Sequence, residues 1–338
     1  MKRLPLALLL LITMAATAVA NDHFMEADNA GHPGSCDAND CCPADDDLCL
    51  ADQCFEGCCA GWTGSFNYLY LWRETTGSDF PILETIGNVP VYTSGQFDFD
   101  PESGFDISAT YNNGCDRGFD IRYMWLAPYT SRQAVFIAPQ TRPATDPDTS
   151  LSIPNETWDI RYESRVQSVE LLRRCECDRV DFTYGFRYIN LDEALQLRAS
   201  NVVNFTYGAD NDLYGFQLGT DGTFWDNGCN FRLGGFAKAG IYANDRQVTS
   251  DTPFFGRRVD ANDTDVAFVG ELGLHAQYDV TCCLSFQAGY QLLFLDGVAL
   301  AANQVPNNGD MLDNPRPVNV SNASLLYHGL RVGLEYRR

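Results

Sequence analysis

Long stretches of strict two-residue alternation constrain this chain more than any other feature, because successive side chains of a strand point to opposite faces. Phe66, Tyr68, Tyr70 and Trp72 alternate with Asn67, Leu69, Leu71 and Arg73. Phe119, Ile121, Tyr123 and Trp125 alternate with Asp120, Arg122 and Met124. Trp158, Ile160, Tyr162 and Val166 alternate with Asp159, Arg161, Glu163 and Arg165. Val180, Phe182, Tyr184, Phe186 and Tyr188 alternate with Asp181, Thr183, Gly185 and Arg187. The pattern continues over residues 214–218, 231–241, 266–278, 284–294 and 326–336, with a weaker run at 104–111. These runs predict an all-β domain of about ten strands, between roughly eight and twelve.

The connections are of two kinds. Short turns fall at Asn113-Gly114, 175–179, Asp226-Asn227-Gly228 and 279–282, and Asn-Gly between alternating runs is a strong hairpin signal. The stretches near 75–103, 128–157, 191–211, 244–263 and 297–323 read as long loops. Short turns on one rim and long loops on the other are the plan of a single antiparallel up-and-down transmembrane barrel, short turns periplasmic and long loops outer.

Alternation alone does not say which face is inside. The polar face carries Gly185, Gly215, Gly219, Gly234, Gly240, Gly273, Gly289, Gly329 and Gly333, which weaken an exposed strand but make room in a narrow lumen. A barrel of about ten strands has little interior space, and the long series of Phe, Tyr and Trp overfills it. Outward rings and inward charges follow. Arg122, Arg161, Glu163, Arg165, Arg187, Lys238, Glu271, Arg331 and Glu335 are then the expected lumen-lining charges, pairing to plug the barrel or lining a narrow pore. Each Arg or Lys turned to lipid costs about 2–4 kcal/mol at the midplane. Trp62, Trp225 and Phe231 form one expected interfacial belt, and Trp72, Trp125 and Trp158 the other.

The remaining composition fits export. Lys2-Arg3, an apolar run over 4–14 and Ala18-Val19-Ala20 read as a signal peptide over 1–20. Residues 21–60 hold ten acidic residues, no Lys or Arg, and seven cysteines, and are expected to form a separate acidic periplasmic segment ahead of the barrel at 61–338. The net charge of −22 argues against a nucleic-acid partner. Lys2 and Lys238 are the two lysines, so nearly every cation is an arginine, the residue of fixed, paired positions.

Thirteen cysteines in an exported chain point to disulfides. Cys36, Cys41, Cys42, Cys49, Cys54, Cys58 and Cys59 lie in the leader, and Cys115, Cys175, Cys177, Cys229, Cys282 and Cys283 in or beside the short turns. Cross-links between neighbouring turns, or from turns to leader, are expected; zinc is the rival, but Cys-x2-Cys pairs with matching histidines are missing, so neither metal nor cofactor is expected. Among the four histidines, His275 has lumen parity and His328 lipid parity. Nothing marks a nucleophile for His275, and the chain is not expected to be an enzyme.

Several motifs resemble a known family. Phe66-Asn67-Tyr68-Leu69-Tyr70-Leu71-Trp72, Tyr162 with Ser168-Val169-Glu170-Leu171, and Gly185-Phe186-Arg187-Tyr188 with Glu193 are similar to planctomycete predicted outer-membrane β-barrel proteins. Gly215-Phe216-Gln217-Leu218-Gly219, residues 238–244 and residues 329–335 match in the same order. The resemblance spans about residues 61–338 and implies an outer-membrane, porin-like barrel. Its expected role is structural or porin-like with at most a narrow, charged lumen. Its expected partners are outer-membrane lipid, the barrel-assembly machinery and small solutes. The alternatives are a secreted soluble β-barrel or adhesion module and a membrane-embedded hydrolase.

Overall fold

In a computed structural model the alternating runs become strands that pair mostly with their neighbours in sequence. The architecture is described for residues 61–76, 79–85, 87–113, 117–137, 140–144, 156–175, 180–199, 203–252, 257–305 and 320–338. The signal peptide, the acidic leader with its seven cysteines, Cys115 and Cys177 lie outside them.

The strands are β1 (Gly61–Thr76), β2 (Pro81–Thr85), β3 (Pro90–Thr93), β4 (Glu102–Asn112), β5 (Arg117–Leu126), β6 (Tyr129–Ile137), β7 (Thr141–Pro143) and β8 (Glu156–Cys175). They continue with β9 (Val180–Ala199), β10 (Val203–Asp226), β11 (Phe231–Thr252), β12 (Arg257–Asp279), β13 (Leu284–Val298) and β14 (Ala323–Arg337), with a short helix α1 (Ala301–Gln304) before the last. The wall runs β5-β4-β1-β14 and on down to β8, every pair antiparallel. β8 closes the ring twice: Arg117↔Cys175 to Trp125↔Gln167 join it to β5, and Tyr129↔Ser164 to Ile137↔Glu156 join it to β6. β5 and β6 are thus one wall strand interrupted at Ala127-Pro128, where proline has no amide hydrogen for the ladder. Ala127 N–H turns aside to Ser103 O at 2.8 Å. The result is a closed, antiparallel, ten-stranded barrel.

Two of the expected long loops are strand instead. β9 runs on to Ala199 with β10 resuming at Val203, and β11 runs on to Thr252 with β12 resuming at Arg257. A tilted strand needs about 9–11 residues to cross a bilayer. At 24 residues, β10 is more than twice that, so about half of it stands clear of the membrane. The wall is tall along β8–β12 and lower at β13, β14, β1 and β4.

Strand polarity inverts with height. On β9 the outward residues are Phe182, Tyr184, Phe186 and Tyr188, then Asn190, Asp192, Gln196 and Arg198. The inward ones are Thr183, Gly185 and Arg187, then Ile189, Leu191, Leu195 and Leu197. Along β9 the phase does not break; only the chemistry of the two faces is exchanged. Below the inversion the outside meets acyl chains and the inside is polar, whereas above it water wets the outside and the interior is a dry core. Phe186, 69% exposed, typifies the lower wall, which a soluble barrel would not leave bare.

The upper core has two parts. One packs Leu69, Leu71, Leu191, Leu213, Leu293, Leu295 and Leu325 across the lumen. The other gathers Trp158, Tyr162, Leu195, Leu197 and Tyr207 from the tall wall against Ile82, Leu83 and Tyr92. Those last three belong to a small sheet, β3-β2-β7, contributed by the connections after β1 and β6. Residues 299–305, which include α1, are buried inward as well.

Candidate functional site: the barrel lumen

A compact ion cluster crosses the lumen where the outer wall is aromatic. Arg122, on β5, reaches Asp106 Oδ2 on β4 (2.6 Å from Nε), Glu170 Oε1 on β8 (3.0 Å) and Glu271 Oε1 on β12 (2.7 Å). Arg187, on β9, donates to Glu271 Oε2 at 2.7 Å and Ser168 Oγ at 2.8 Å, with Glu170 Oε1 at 3.4 Å. Lys238 Nζ, on β11, lies 2.7 Å from Glu170 Oε2, which also accepts from Gln217 Nε2 at 2.8 Å. Tyr242 in turn donates to Gln217 Oε1 at 3.0 Å. Three cations thus meet three carboxylates, and the group is charge-neutral. All but Lys238 are buried, and its side chain is 14% exposed. Buried ions persist only when paired and hydrogen-bonded.

Phe236 points inward, against the outward-ring pattern of the lower wall. Its ring centroid lies 6.0 Å from Arg122 Cζ, 5.8 Å from Lys238 Nζ and 5.6 Å from Arg331 Cζ. Room for it comes from Gly273, where a Cβ would sit 2.3 Å from the ring. Gly215 gives Tyr242 the same clearance, at 2.4 Å. These two lumen glycines are therefore sockets for large side chains.

A second ion pair sits higher. Arg73, on β1, and Glu193, on β9, are fully buried partners. The Arg73 guanidinium stacks 4.4 Å from the Phe99 ring, and Glu193 also takes the Tyr162 hydroxyl and the Ala301 amide at 3.1 Å. Asn211 brackets the inward segment: its amide donates to Ala299 O at 2.8 Å and its oxygen accepts from Ala299 N–H at 2.7 Å. Asn244 Nδ2 reaches Gly297 O at 3.1 Å.

Toward the short turns the lumen is polar and partly exposed. Arg174 pairs with Asp120 at 3.0 Å and Asp181 at 2.6 Å, and Arg232 pairs with Asp279 at 2.7 Å. Glu335 accepts from Gln287 at 2.8 Å and Gln277 at 3.2 Å and pairs with Arg337. His275 is on the inner face of β12 beside Gly234, whose Cβ would fall 2.8 Å from Nε2. His328 is on the outer face, its Nδ1 2.6 Å from Tyr290 Oη and its ring stacked on Trp72. Cys175 ends β8, and Cys229, Cys282 and Cys283 lie in turns on the same rim.

Six of the nine expected lumen charges, Arg122, Arg187, Lys238, Glu271, Arg331 and Glu335, therefore face inward, and the first four assemble into the ion cluster. Arg161, Glu163 and Arg165 do not. They point outward from the upper half of β8, with Arg161 and Arg165 51% and 58% exposed and both paired to Glu163. Trp158 is fully buried in the upper core instead of joining an outer belt. The cause is the same in each case: above the inversion, apolar residues face in and charges face water. Correcting the polarity of β8 also brings in Glu170, which shares parity with Trp158 and Tyr162, and register with β5 brings in Asp106. Alternation around Val169 and Leu171 carried the signal for Glu170.

Residues 256–337 match the family model described as "Putative beta barrel porin-7 (BBP7)". No curated protein matches the chain. Among solved structures, the outer-membrane protease OmpT of Escherichia coli is similar over 82% of this chain and 97% of its own, at 9% identity and a TM-score of 0.52. The toluene transporter TbuX of Ralstonia pickettii (9% identity, 82% and 89% coverage, TM-score 0.32) and Ail of Yersinia pestis (12%, 82% and 99%, 0.24) also match. At such identities the likeness speaks to fold alone. The closed register, the outward rings and the likeness to OmpT make the chain a ten-stranded β-barrel of the outer-membrane type, whose last quarter resembles the BBP7 porin-like family.

Proposed function

We propose that this barrel is a closed structural element of the outer membrane, with no standing solute pore and no catalytic role. The observation that carries the reading is the neutral cluster of Arg122, Arg187 and Lys238 with Asp106, Glu170 and Glu271, which spans the lumen from β4 to β12. Pores keep fixed charges hydrated and unpaired so that ions pass, whereas here they are dried and matched. The dry layer above them, with the Asn211-held segment, adds a second obstruction.

Outer-membrane lipid and the assembly machinery are its partners on this reading. The cysteines of the short-turn rim would cross-link neighbouring turns, and fewer accessible thiols before than after reduction would support that. Conductance in planar bilayers tests the main claim. The expected record is silence, or rare events of small amplitude. Sustained, ohmic channels from the unmodified protein would overturn it and restore the porin reading.

A further inference from the structure

The outer wall just above the aromatic band is electrically uneven. In a chain of net charge −22, Arg132, Arg161, Arg165 and Arg198 gather on the outward faces of β6, β8 and β9. Arg132 and Arg161 are directly opposite across the β6–β8 ladder, a like-charge juxtaposition that weakens a sheet by itself. Arg132 is 69% exposed and leans on Asp159 at 3.0 Å, while Arg161 and Arg165 share Glu163. Arg165 is opposite Asp192, and Arg198 opposite Asp159. Four cations thus face three carboxylates. The outer faces of β10 and β11, in contrast, present Asp210, Asp212 and Asp245.

Height gives this patch a meaning. On β8 the outward sequence descends from Arg161 through Glu163 and Arg165 to Gln167, Val169 and Leu171. Gln167 is level with Trp125, and Val169 with Tyr188, the upper edge of the ring band. Arg165 stands one outward step above Gln167, about 7 Å along the strand, at headgroup depth. Arg161 and Arg132 stand about 13 Å further along, beyond the phosphate of a simple phospholipid but within a tall headgroup. Val169, Leu171 and Ile121 below offer an exposed apolar track for acyl chains. Guanidinium forks are the side chains best shaped for phosphate oxygens.

We propose that Arg132, Arg161 and Arg165 form a docking site on the outer wall for a phosphorylated glycolipid of the outer leaflet, its chains lying along Val169, Leu171 and Ile121. The site rests on the outer-membrane assignment but not on whether the lumen is closed.

The test uses the full chain in neutral detergent, native mass spectrometry and a bisphosphorylated disaccharide lipid as probe. The Arg132→Gln/Arg161→Gln/Arg165→Gln variant is expected to lose about a hundredfold in lipid affinity, from about fivefold per cation at a membrane surface. Arg258→Gln, at a distant exposed Arg–Asp pair, leaves binding unchanged. The dephosphorylated lipid binds wild type as weakly as the phosphorylated one binds the triple variant. Heat-modifiable electrophoretic mobility confirms folding; if the triple variant does not fold, Arg165→Gln alone carries the test with a fivefold loss. Equal affinity for phosphorylated and dephosphorylated lipid, an unaffected arginine variant, or equally tight binding of inorganic phosphate overturns the proposal. A closed barrel with no lipid preference would leave the proposed function standing, and a conducting barrel with that preference would leave this site standing.

Discussion

Glu170→Gln is the sharpest test of the ion cluster. The side chain keeps its size while the cluster goes from three carboxylates against three cations to two against three. Arg122 retains Asp106 and Glu271, and Arg187 retains Glu271, but Lys238 loses the carboxylate 2.7 Å from its ammonium. Breaking a buried pair by removing one partner costs about 3–5 kcal/mol, because the other charge stays desolvated. Lys238 is 14% exposed, which puts the expected loss near the lower end, about 3 kcal/mol. Adding Lys238→Met restores neutrality, with Arg122 and Arg187 facing Asp106 and Glu271. The double variant should therefore be more stable than the sum of the single effects implies, by about 1–3 kcal/mol. Urea unfolding in phospholipid vesicles, followed by tryptophan fluorescence and gel mobility, measures all three. A Glu170→Gln barrel within about 0.5 kcal/mol of wild type, or strict additivity in the cycle, would show that the lumen is hydrated and the cluster unimportant to stability.

Further outcomes follow from the upper half. Trp158→Ala should cost about 3–5 kcal/mol, as a cavity in a packed core does, and Trp158 should resist quenching by brominated lipid; strong quenching refutes its burial. Asn211→Ala removes both bonds to Ala299, and hydrogen exchange at 299–305 should accelerate by an amount equivalent to about 2 kcal/mol; unchanged protection would dissociate the segment from Asn211. Partial burial, a hydrogen bond that protonated Asp210 donates to the Asp192 carboxylate, and the negative charges of Asp192 and Asp212 push Asp210 up to about 6. The folded state then holds this proton more tightly than the unfolded chain, so stability declines as pH rises from about 4 to about 6. Asp210→Asn should flatten that decline and stabilise at neutral pH by under about 1 kcal/mol, the side chain being solvent-screened; a pH–stability profile unchanged by the substitution refutes it.

The ten-strand closure, the rim of short turns and the outward rings were all readable from alternation, because one face per strand meets a distinct medium. Lumen parity puts Arg122, Arg187, Lys238 and Glu271 on the inner face from alternation alone. Height was not readable. Residues 191–211 and 244–263 look like loops because their outward positions are Asp, Asn, Gln and Thr, yet their inward positions, Leu195, Leu197, Tyr207 and Val248, keep period two. Asp106 is not legible in the sequence because β4 is short of rings, and its role depends on lying diagonally across the β4–β5 ladder from Arg122, which is not local information.

The error on β8 shows how the two kinds of information combine. Trp158, Ile160 and Tyr162 look like a lipid face if the strand is taken to lie wholly in the bilayer, and Arg161, Glu163 and Arg165 then look luminal. Following the same strand down to Val169 and Leu171 gives the opposite polarity at the opposite parity, and both assignments cannot hold for one unbroken strand in a single medium. The contradiction disappears only if the medium changes along the strand, from acyl chains to water, between Val169 and Arg165. The membrane boundary is thus written into the sequence as the point where alternation keeps its phase and exchanges its chemistry. On β9 that point falls between Tyr188 and Asn190, which pair with Val169 and Gln167. Two adjacent strands therefore place the boundary at the same level, as a planar bilayer requires.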